Sequence, residues 1–239
     1  EKDTQVIAID TETYYDAECS AQTLGSYAYT QHGDFETLLV SAATSSDPKD
    51  AIVATPADFP WEVLEGKRIV AHNAGFDRAV LKATPGAPDI PPEAWIDSAG
   101  LCAYHQYPRS LKDATAVLFD AEVSKDVRNR MKGKTLEALA PMELAEFRRY
   151  AKEDATWAFR IYEALAPTTP QHELDLMALA MDQGEYGVQI DREALEAGVD
   201  RLAAAQLPIL EAIPWYPDRE ADSSIGLADA CQGLGIEPP

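Results

Sequence analysis

Five side chains in this sequence have the types and the spacing of a metal-assisted reaction. Asp10 and Glu12 stand in Val6-Ile7-Ala8-Ile9-Asp10-Thr11-Glu12-Thr13, and Asp77 closes His72-Asn73-Ala74-Gly75-Phe76-Asp77. Tyr150 and Asp154 share Arg149-Tyr150-Ala151-Lys152-Glu153-Asp154. Carboxylates this far apart in sequence, each beside apolar structure, are expected to converge on one pocket for divalent cations. A pocket of that kind hydrolyses phosphodiester bonds.

Each motif also has a plainer reading. Side chains two apart on a strand share a face, so Asp10 and Glu12 point the same way and repel unless a cation lies between them. An Asp-x-Glu at a strand end is equally a common turn. Asp77 falls on the first turn of a predicted helix, where an acidic residue also suits the helix dipole. His72 and Asn73 follow an apolar strand, and such strand ends line clefts in α/β folds. His72 alone reads as a structural histidine as readily as a functional one. Tyr150 and Asp154, four apart, share one helical face about 6 Å apart along the axis. Phe147, Ala151, Ala155 and Ala158 mark the core side of that helix, while Arg148, Arg149, Lys152 and Glu153 mark the solvated one. An inward aspartate must be paired or cation-bound.

The elements that would position these groups follow from hydrophobic period. Residues 5–9 form a β-branched run read as a buried strand. Residues 24–30 and 37–44 read as two more strands, joined through His32-Gly33-Asp34, with 51–54 a fourth. Residues 68–71 are a short strand leading into a helix over 75–82. Residues 85–92 are a Pro-rich loop, and Trp95-Ile96-Asp97 a last strand. Helical spacing marks 111–118, 136–139 and above all 142–165, where Leu144, Phe147, Ala151, Ala155, Ala158 and Ile161 fall three or four apart. The fold class is therefore α/β, a mixed sheet flanked by helices. Pro167-Thr168-Thr169-Pro170 breaks the chain, dividing a domain of residues 1–167 from a mostly helical extension of 168–239. That extension is read as helical over 174–181 and 192–205, with a Pro-rich tail.

The 239 residues, 46% hydrophobic, can bury a full core. There is no apolar run near the length of a membrane span and no charged-then-apolar leader, so a cytoplasmic protein is expected, in a bacterial host cell if phage-encoded. Glu1 rather than Met at the start reads as an excerpt of a longer chain. Cys19, Cys102 and Cys231 fit neither a disulfide framework nor a zinc pair. The net charge of −21 opposes tight, autonomous binding to a polyanion. The exception is the window 125–134, where Lys125, Arg128, Arg130, Lys132 and Lys134 face only Asp126. That window reads as a solvated face or as a phosphate-contacting arm beside the pocket, with Arg128 and Arg130 as the candidate contacts.

Taken together, the three motifs resemble the DEDD exonucleases of ribonuclease-H-like fold. Asp10 and Glu12 match the first motif of that superfamily, Asp77 the second, and Tyr150 with Asp154 the third, over roughly residues 4–165. Position 149 is arginine, so the tyrosine branch fits and the histidine spacing is absent. Leu24-Gly25-Ser26-Tyr27-Ala28-Tyr29, Trp95-Ile96-Asp97-Ser98 and Ser110-Leu111 resemble proofreading domains of bacteriophage family A DNA polymerases. Met181-x-x-Gly184 to Gly187-Val188-Gln189-Ile190-Asp191 resembles the link from exonuclease to polymerase in that family, and Gly233-Leu234-Gly235-Ile236 the stretch before the thumb.

The resemblance implies two divalent cations, Mg²⁺ or Mn²⁺, held by Asp10, Glu12, Asp77 and Asp154, with Asp10 shared between them. Tyr150 would orient the attacking water. Thr11, His72, Asn73 and Phe76 would touch the substrate, a single-stranded or frayed DNA 3′ end. 5′-Mononucleotides would be released, and a polymerase domain or subunit would be the partner. Two other readings keep the fold: a non-catalytic module that supports polymerase assembly or a partner, and an exonuclease directed at RNA.

Overall fold

The computed structural model describes residues 5–124 and 126–238. Five strands form one mixed sheet: β1 (Val6–Thr13), β2 (Thr37–Ala43), β3 (Ile52–Ala54), β4 (Arg68–Ala71) and β5 (Trp95–Asp97), in the order β3-β2-β1-β4-β5. β1 pairs antiparallel with β2 and parallel with β4, and β4 pairs parallel with β5. The helices are α1 (Ala21–Leu24), α2 (Ser26–Thr30), α3 (Ala74–Ala83), α4 (Ser98–Tyr104), α5 (Leu111–Phe119), α6 (Asp126–Arg130), α7 (Pro141–Leu165), α8 (Gln171–Tyr186), α9 (Arg192–Glu211) and α10 (Ser224–Gly233). This is the helix-flanked mixed sheet that the sequence predicts.

β1 is central and apolar on both faces, as a strand covered on both sides must be. Ala8 packs with Val70, Ala155 and Ala158 beneath α7, while Ile7 and Ile9 pack with Ile69, Ala71, Leu81 and Trp95 on the α3 side. Burying each of those larger side chains contributes roughly 1.5–3 kcal/mol. Period two along the same strand then carries Asp10 and Glu12 to the α7 face and Thr11 to the α3 face. β1 continues through all three residues to Thr13, with a register shift between Glu12 and Thr13. The first motif therefore lies within the strand, not just beyond it.

Residues 24–30 are helical rather than extended. The β-favouring Tyr27 and Tyr29 are outweighed by local caps. Ser20 accepts from the Thr23 amide to start α1, and Gly25, at φ 77°, breaks the chain between α1 and α2. Tyr29 is buried and Tyr27 is 75% exposed. The spacing at 136–139 yields only a 3₁₀ turn, Leu136–Ala138. α4 follows β5 directly because Asp97 caps it, accepting from the Ala99 amide. The Pro-rich tail contains α10, and α9 runs on to Glu211 past Pro208.

The chain forms two compact units, Glu1–Tyr186 and Gly187–Pro239. In the first, α8 follows the proline-flanked break and packs back through Leu174, Met177 and Met181. In the second, Gly226 of α10 lies against Trp215 so closely that a Cβ would come within 2.5 Å of the indole. No helix among the described residues is long and apolar enough to cross a membrane.

Candidate metal centre

Three of the four predicted carboxylates meet at the β1–α7 junction. Oxygens of Asp10, Glu12 and Asp154 lie within 4.8 Å of one another. α7 delivers Asp154 because its apolar stripe (Phe147, Ala151, Ala155, Ala158) seats one face against the sheet and carries Asp154 inward at its edge. Pro141 starts the helix, and the Glu143 carboxylate accepts from the Ala140 amide at 3.0 Å. The height of the helix above the strand is held by Ser41 on β2. Its hydroxyl donates to the Ala151 carbonyl at 2.8 Å, and Ser41 pairs in register with Asp10. Ser41 has no sequence signature of this role; the contact spans 110 residues.

Asp77 enters from the other face. It is 2% exposed, and its Oδ1 accepts from both the Thr11 amide (3.0 Å) and the Thr11 hydroxyl (2.7 Å). Asp10, Glu12, Asp77, Tyr150 and Asp154 all line one cleft of about 830 Å³. Tyr150 lies one turn before Asp154 on α7, and the two are 8% exposed each.

The electrostatics of this cleft are those of crowded anions. Burial, then the Glu12, Asp154 and Asp77 charges, drives the Asp10 pKa well up. Glu12 rises by burial and the Asp154 charge, and Arg128 opposes both shifts. Burial pushes Asp77 up to about 7 in spite of the two Thr11 hydrogen bonds. Burial, then Asp154, pushes the Tyr150 phenol far above its ordinary range, so it stays protonated. Hard oxygen donors with mutual repulsion and no thiolate or imidazole among them fit hard divalent cations.

The residues around the carboxylates divide by what holds them. Asn73 caps α3 in the left-handed conformation (φ 70°), its amide donating to Asp97 at 2.9 Å. Asn73 and Phe76 both line the cleft, and the Phe76 ring stacks on Tyr29 at 6.2 Å. His72 also borders it, but its Nδ1 meets the Ser98 hydroxyl at 2.9 Å and its Nε2 the Arg109 carbonyl at 2.8 Å. The Thr11 hydroxyl is engaged by Asp77.

The basic window splits in the same way, and its Lys125 lies outside the described residues. Arg128 and Lys132 line the cleft. Arg130 turns to α7 and pairs with Glu146 at 2.7 Å, and Lys134 pairs with Glu143 at 3.5 Å. Tyr15 anchors this arm. Its hydroxyl donates to the Arg128 carbonyl at 2.6 Å, and its own carbonyl accepts from the Gly133 amide at 2.8 Å. Sequence reading passed over Tyr15, and within the charged window it singled out Arg130 rather than Lys132 beside Arg128.

A 3′-5′ exonuclease family model matches residues 1–170. The sequence matches none of the curated proteins compared. Among solved structures, Brucella melitensis NrnC aligns with a TM-score of 0.51 at 19% identity, over 76% of this chain and 82% of that one. The same protein with bound Mg²⁺ gives 0.51 at 18%, with the same coverage. The catalytic core of RRP6 from Trypanosoma brucei gives 0.51 at 15%, over 74% of this chain and 46% of that one. At these identities the likeness establishes a shared fold, and the family match, over well more than half of the sequence, establishes kinship. The chain belongs to the 3′-5′ exonuclease family, of the type built on four carboxylates.

Proposed function

We propose that this protein removes 5′-mononucleotides from the 3′ ends of DNA, as the proofreading part of a phage DNA polymerase of the tyrosine branch. The observation that carries the reading is the meeting of Asp10, Glu12 and Asp154 within 4.8 Å, with Tyr150 one helical turn from Asp154 and Asp77 in the same cleft. Asp10, Glu12, Asp77 and Asp154 would hold two Mg²⁺ or Mn²⁺ ions. Bound there, such ions polarise the phosphodiester, offset the charge that builds on its oxygens and make water a stronger nucleophile.

The side chains supply the rest. The Tyr150 hydroxyl would orient the attacking water, and the bound cations, not the phenol, would ease loss of its proton. Thr11 holds Asp77 in one rotamer. Arg128 and Lys132 bring positive charge to a cleft of carboxylates, where the backbone of the strand must approach. Asn73 and Phe76 border the place for the terminal nucleotide. His72 supports that border through Ser98 and the Arg109 carbonyl. In this reading residues 1–167 are the nuclease domain, and 168–239 form an extension that joins it to a polymerase domain. The DNA assignment rests on the likeness of residues 24–29, 95–98 and 181–191 to phage polymerases.

The test uses 5′-labelled single-stranded DNA and RNA of the same sequence, with Mg²⁺ or Mn²⁺ and with a chelator. Stepwise shortening of DNA from its 3′ end, stopped by the chelator and by Asp10→Ala or Asp154→Ala, is expected. Tyr150→Phe should slow the step roughly 10- to 100-fold, as loss of an orienting group does. Parent-like digestion by Asp10→Ala removes the proposed centre, and faster digestion of RNA overturns the DNA assignment.

A further inference from the structure

One aromatic of the 24–30 segment holds a place in the metal cleft that the chemistry above leaves unused. Tyr29 of α2 lines that cleft yet is only 1% exposed, so it is built into the wall and not offered to a substrate. Its amide donates to the Gly25 carbonyl at 3.0 Å, which fixes its backbone. Its ring meets Phe35 edge to face, with centroids 5.1 Å apart and planes at 88°.

The phenol reaches the end of β1. It has one proton, and the Tyr14 carbonyl beside it can only accept. The Thr13 hydroxyl must then donate to the Tyr29 oxygen, at 2.7 Å. Both partners directly follow Glu12, at a point where the sheet is irregular. Glu12 pairs with Leu39 and Thr13 with Thr37, so the ladder skips Leu38. An irregularity of this kind re-aims the side chains next to it. Beyond it the strand is held from within the sheet by the Tyr14 amide, which donates to the Glu36 carbonyl at 2.9 Å, and from outside by Tyr29. Period two puts Thr13 on the face of β1 that carries Thr11. Glu12 thus stands between two threonines tied to the helices on that side, Thr11 to Asp77 and Thr13 to Tyr29.

The ring completes the connection. It lies nearly parallel to Phe76, at 15° and 6.2 Å, and Phe76 immediately precedes Asp77. Thr13, Tyr29, Phe76, Asp77 and Thr11 therefore form one chain of contacts, and Glu12 sits in the gap between its two ends. We infer that Tyr29 is a positioning residue with two charges: its hydroxyl sets Glu12 through the end of β1, and its ring sets Phe76. One buried side chain then aligns a cation ligand with the border of the terminal nucleotide. The inference rests on the exonuclease reading and deepens it. Tyr29 acts through these neighbours and not by contact with the reacting groups.

The experiment uses the full chain with Tyr29→Phe, which keeps the ring, and Tyr29→Leu, which removes ring and hydroxyl. Calorimetry of Mn²⁺ binding without DNA reads the first role. KM for 5′-labelled single-stranded DNA at saturating Mn²⁺ reads the second. Tyr29→Phe should weaken Mn²⁺ binding about tenfold, the usual effect of removing a ligand's support, and leave KM in place. Tyr29→Leu should weaken Mn²⁺ equally and also raise KM about fivefold, the order of one aromatic pair. Where Tyr29→Leu does not fold, Tyr29→Met takes its place. A residue that only docks α2 would lower the melting temperature in these variants and move neither reading. Unchanged Mn²⁺ affinity in Tyr29→Phe overturns the role of the hydroxyl, and unchanged KM in the variant without a ring overturns the role of the ring. A parent that binds Mn²⁺ but leaves DNA intact sinks the nuclease reading and the ring's role with it, while the Mn²⁺ titration of Tyr29→Phe still decides the hydroxyl. A parent that takes up no Mn²⁺ sinks both.

Discussion

Thr11 donates twice to one oxygen of Asp77, from its amide at 3.0 Å and its hydroxyl at 2.7 Å, across 66 residues of sequence. The pair ties the first motif to the second through the face of β1 that Asp10 and Glu12 do not occupy. Thr11→Val keeps the shape and the amide donor and removes the hydroxyl. If Asp77 is a cation ligand, its geometry should loosen, and half-maximal activity should need about tenfold more Mn²⁺, the usual effect of deleting a ligand's supporting hydrogen bond. Activity titrated against Mn²⁺ measures this, and an unchanged midpoint would show that the amide bond alone sets Asp77.

The cluster also ties stability to pH. Burial pushes Asp77 from 3.8 up to about 7 and drives Asp10 and Glu12 upward as well. A carboxyl with a raised folded pKa takes up its proton more readily in the native state. Its contribution is complete below the unfolded value near 4 and is lost as pH climbs through about 7. Cation-free protein should therefore melt at a higher temperature at pH 5 than at pH 8. Mn²⁺ should restore stability at pH 8 and do little at pH 5, and Asp77→Asn should flatten the chelated profile. Thermal melts with chelator or Mn²⁺ across this range decide it; a flat chelated profile in the parent contradicts the assigned burial of charge.

Much of this arrangement is written in local sequence, and the rest is set by docking. A β-branched run marks β1, short apolar runs mark β2 and β4, and spacing of three and four marks α7, so the places of Asp10, Glu12 and Asp154 follow from periodicity alone. The misread segment at 24–30 shows where that logic stops. Its tyrosines favour a strand, while a serine cap and a glycine at positive φ, each a single residue, favour two short helices. The Ser41–Ala151 bond has no local signal, because it depends on which helix crosses β2. The division of the basic window is likewise a tertiary fact. Arg128 and Arg130 are neighbours in charge and in sequence, and only the seat of α6 against Tyr15 and α7 sends them apart.

That division yields a contrast between two arginines. Arg128 lines the cleft and offsets the charge on Asp10 and Glu12, whereas Arg130 is held by Glu146. Arg128→Ala should weaken binding of single-stranded DNA and reduce the slope of log K against log salt by about one. Arg130→Ala should leave that slope in place, and its exposed ion pair is worth about 0–1 kcal/mol of stability at most. Binding isotherms at several salt concentrations, on protein carrying Asp10→Ala to prevent digestion, separate the two. Equal slopes in the two variants would mean that the arm contacts phosphate as a whole.

Gly226 offers a test confined to the second unit. The indole of Trp215 occupies the space where a side chain would begin, with a Cβ placed 2.5 Å from its Cγ, and that ring is fixed further by donating from Nε1 to the Glu220 carbonyl at 3.0 Å. A flat aromatic ring cannot yield as the tip of a flexible chain can, so Gly226→Ala must displace either Trp215 or α10. Overpacking of this kind destabilises by about 1–3 kcal/mol, opposed by the better helix propensity of alanine, roughly 1 kcal/mol. Limited proteolysis should then cut within 187–239 sooner than in the parent, while the protection of residues 5–186 is retained. Unaltered cleavage in 187–239 would show that the indole moves freely, and that Trp215 and Gly226 do not form the small core of this unit.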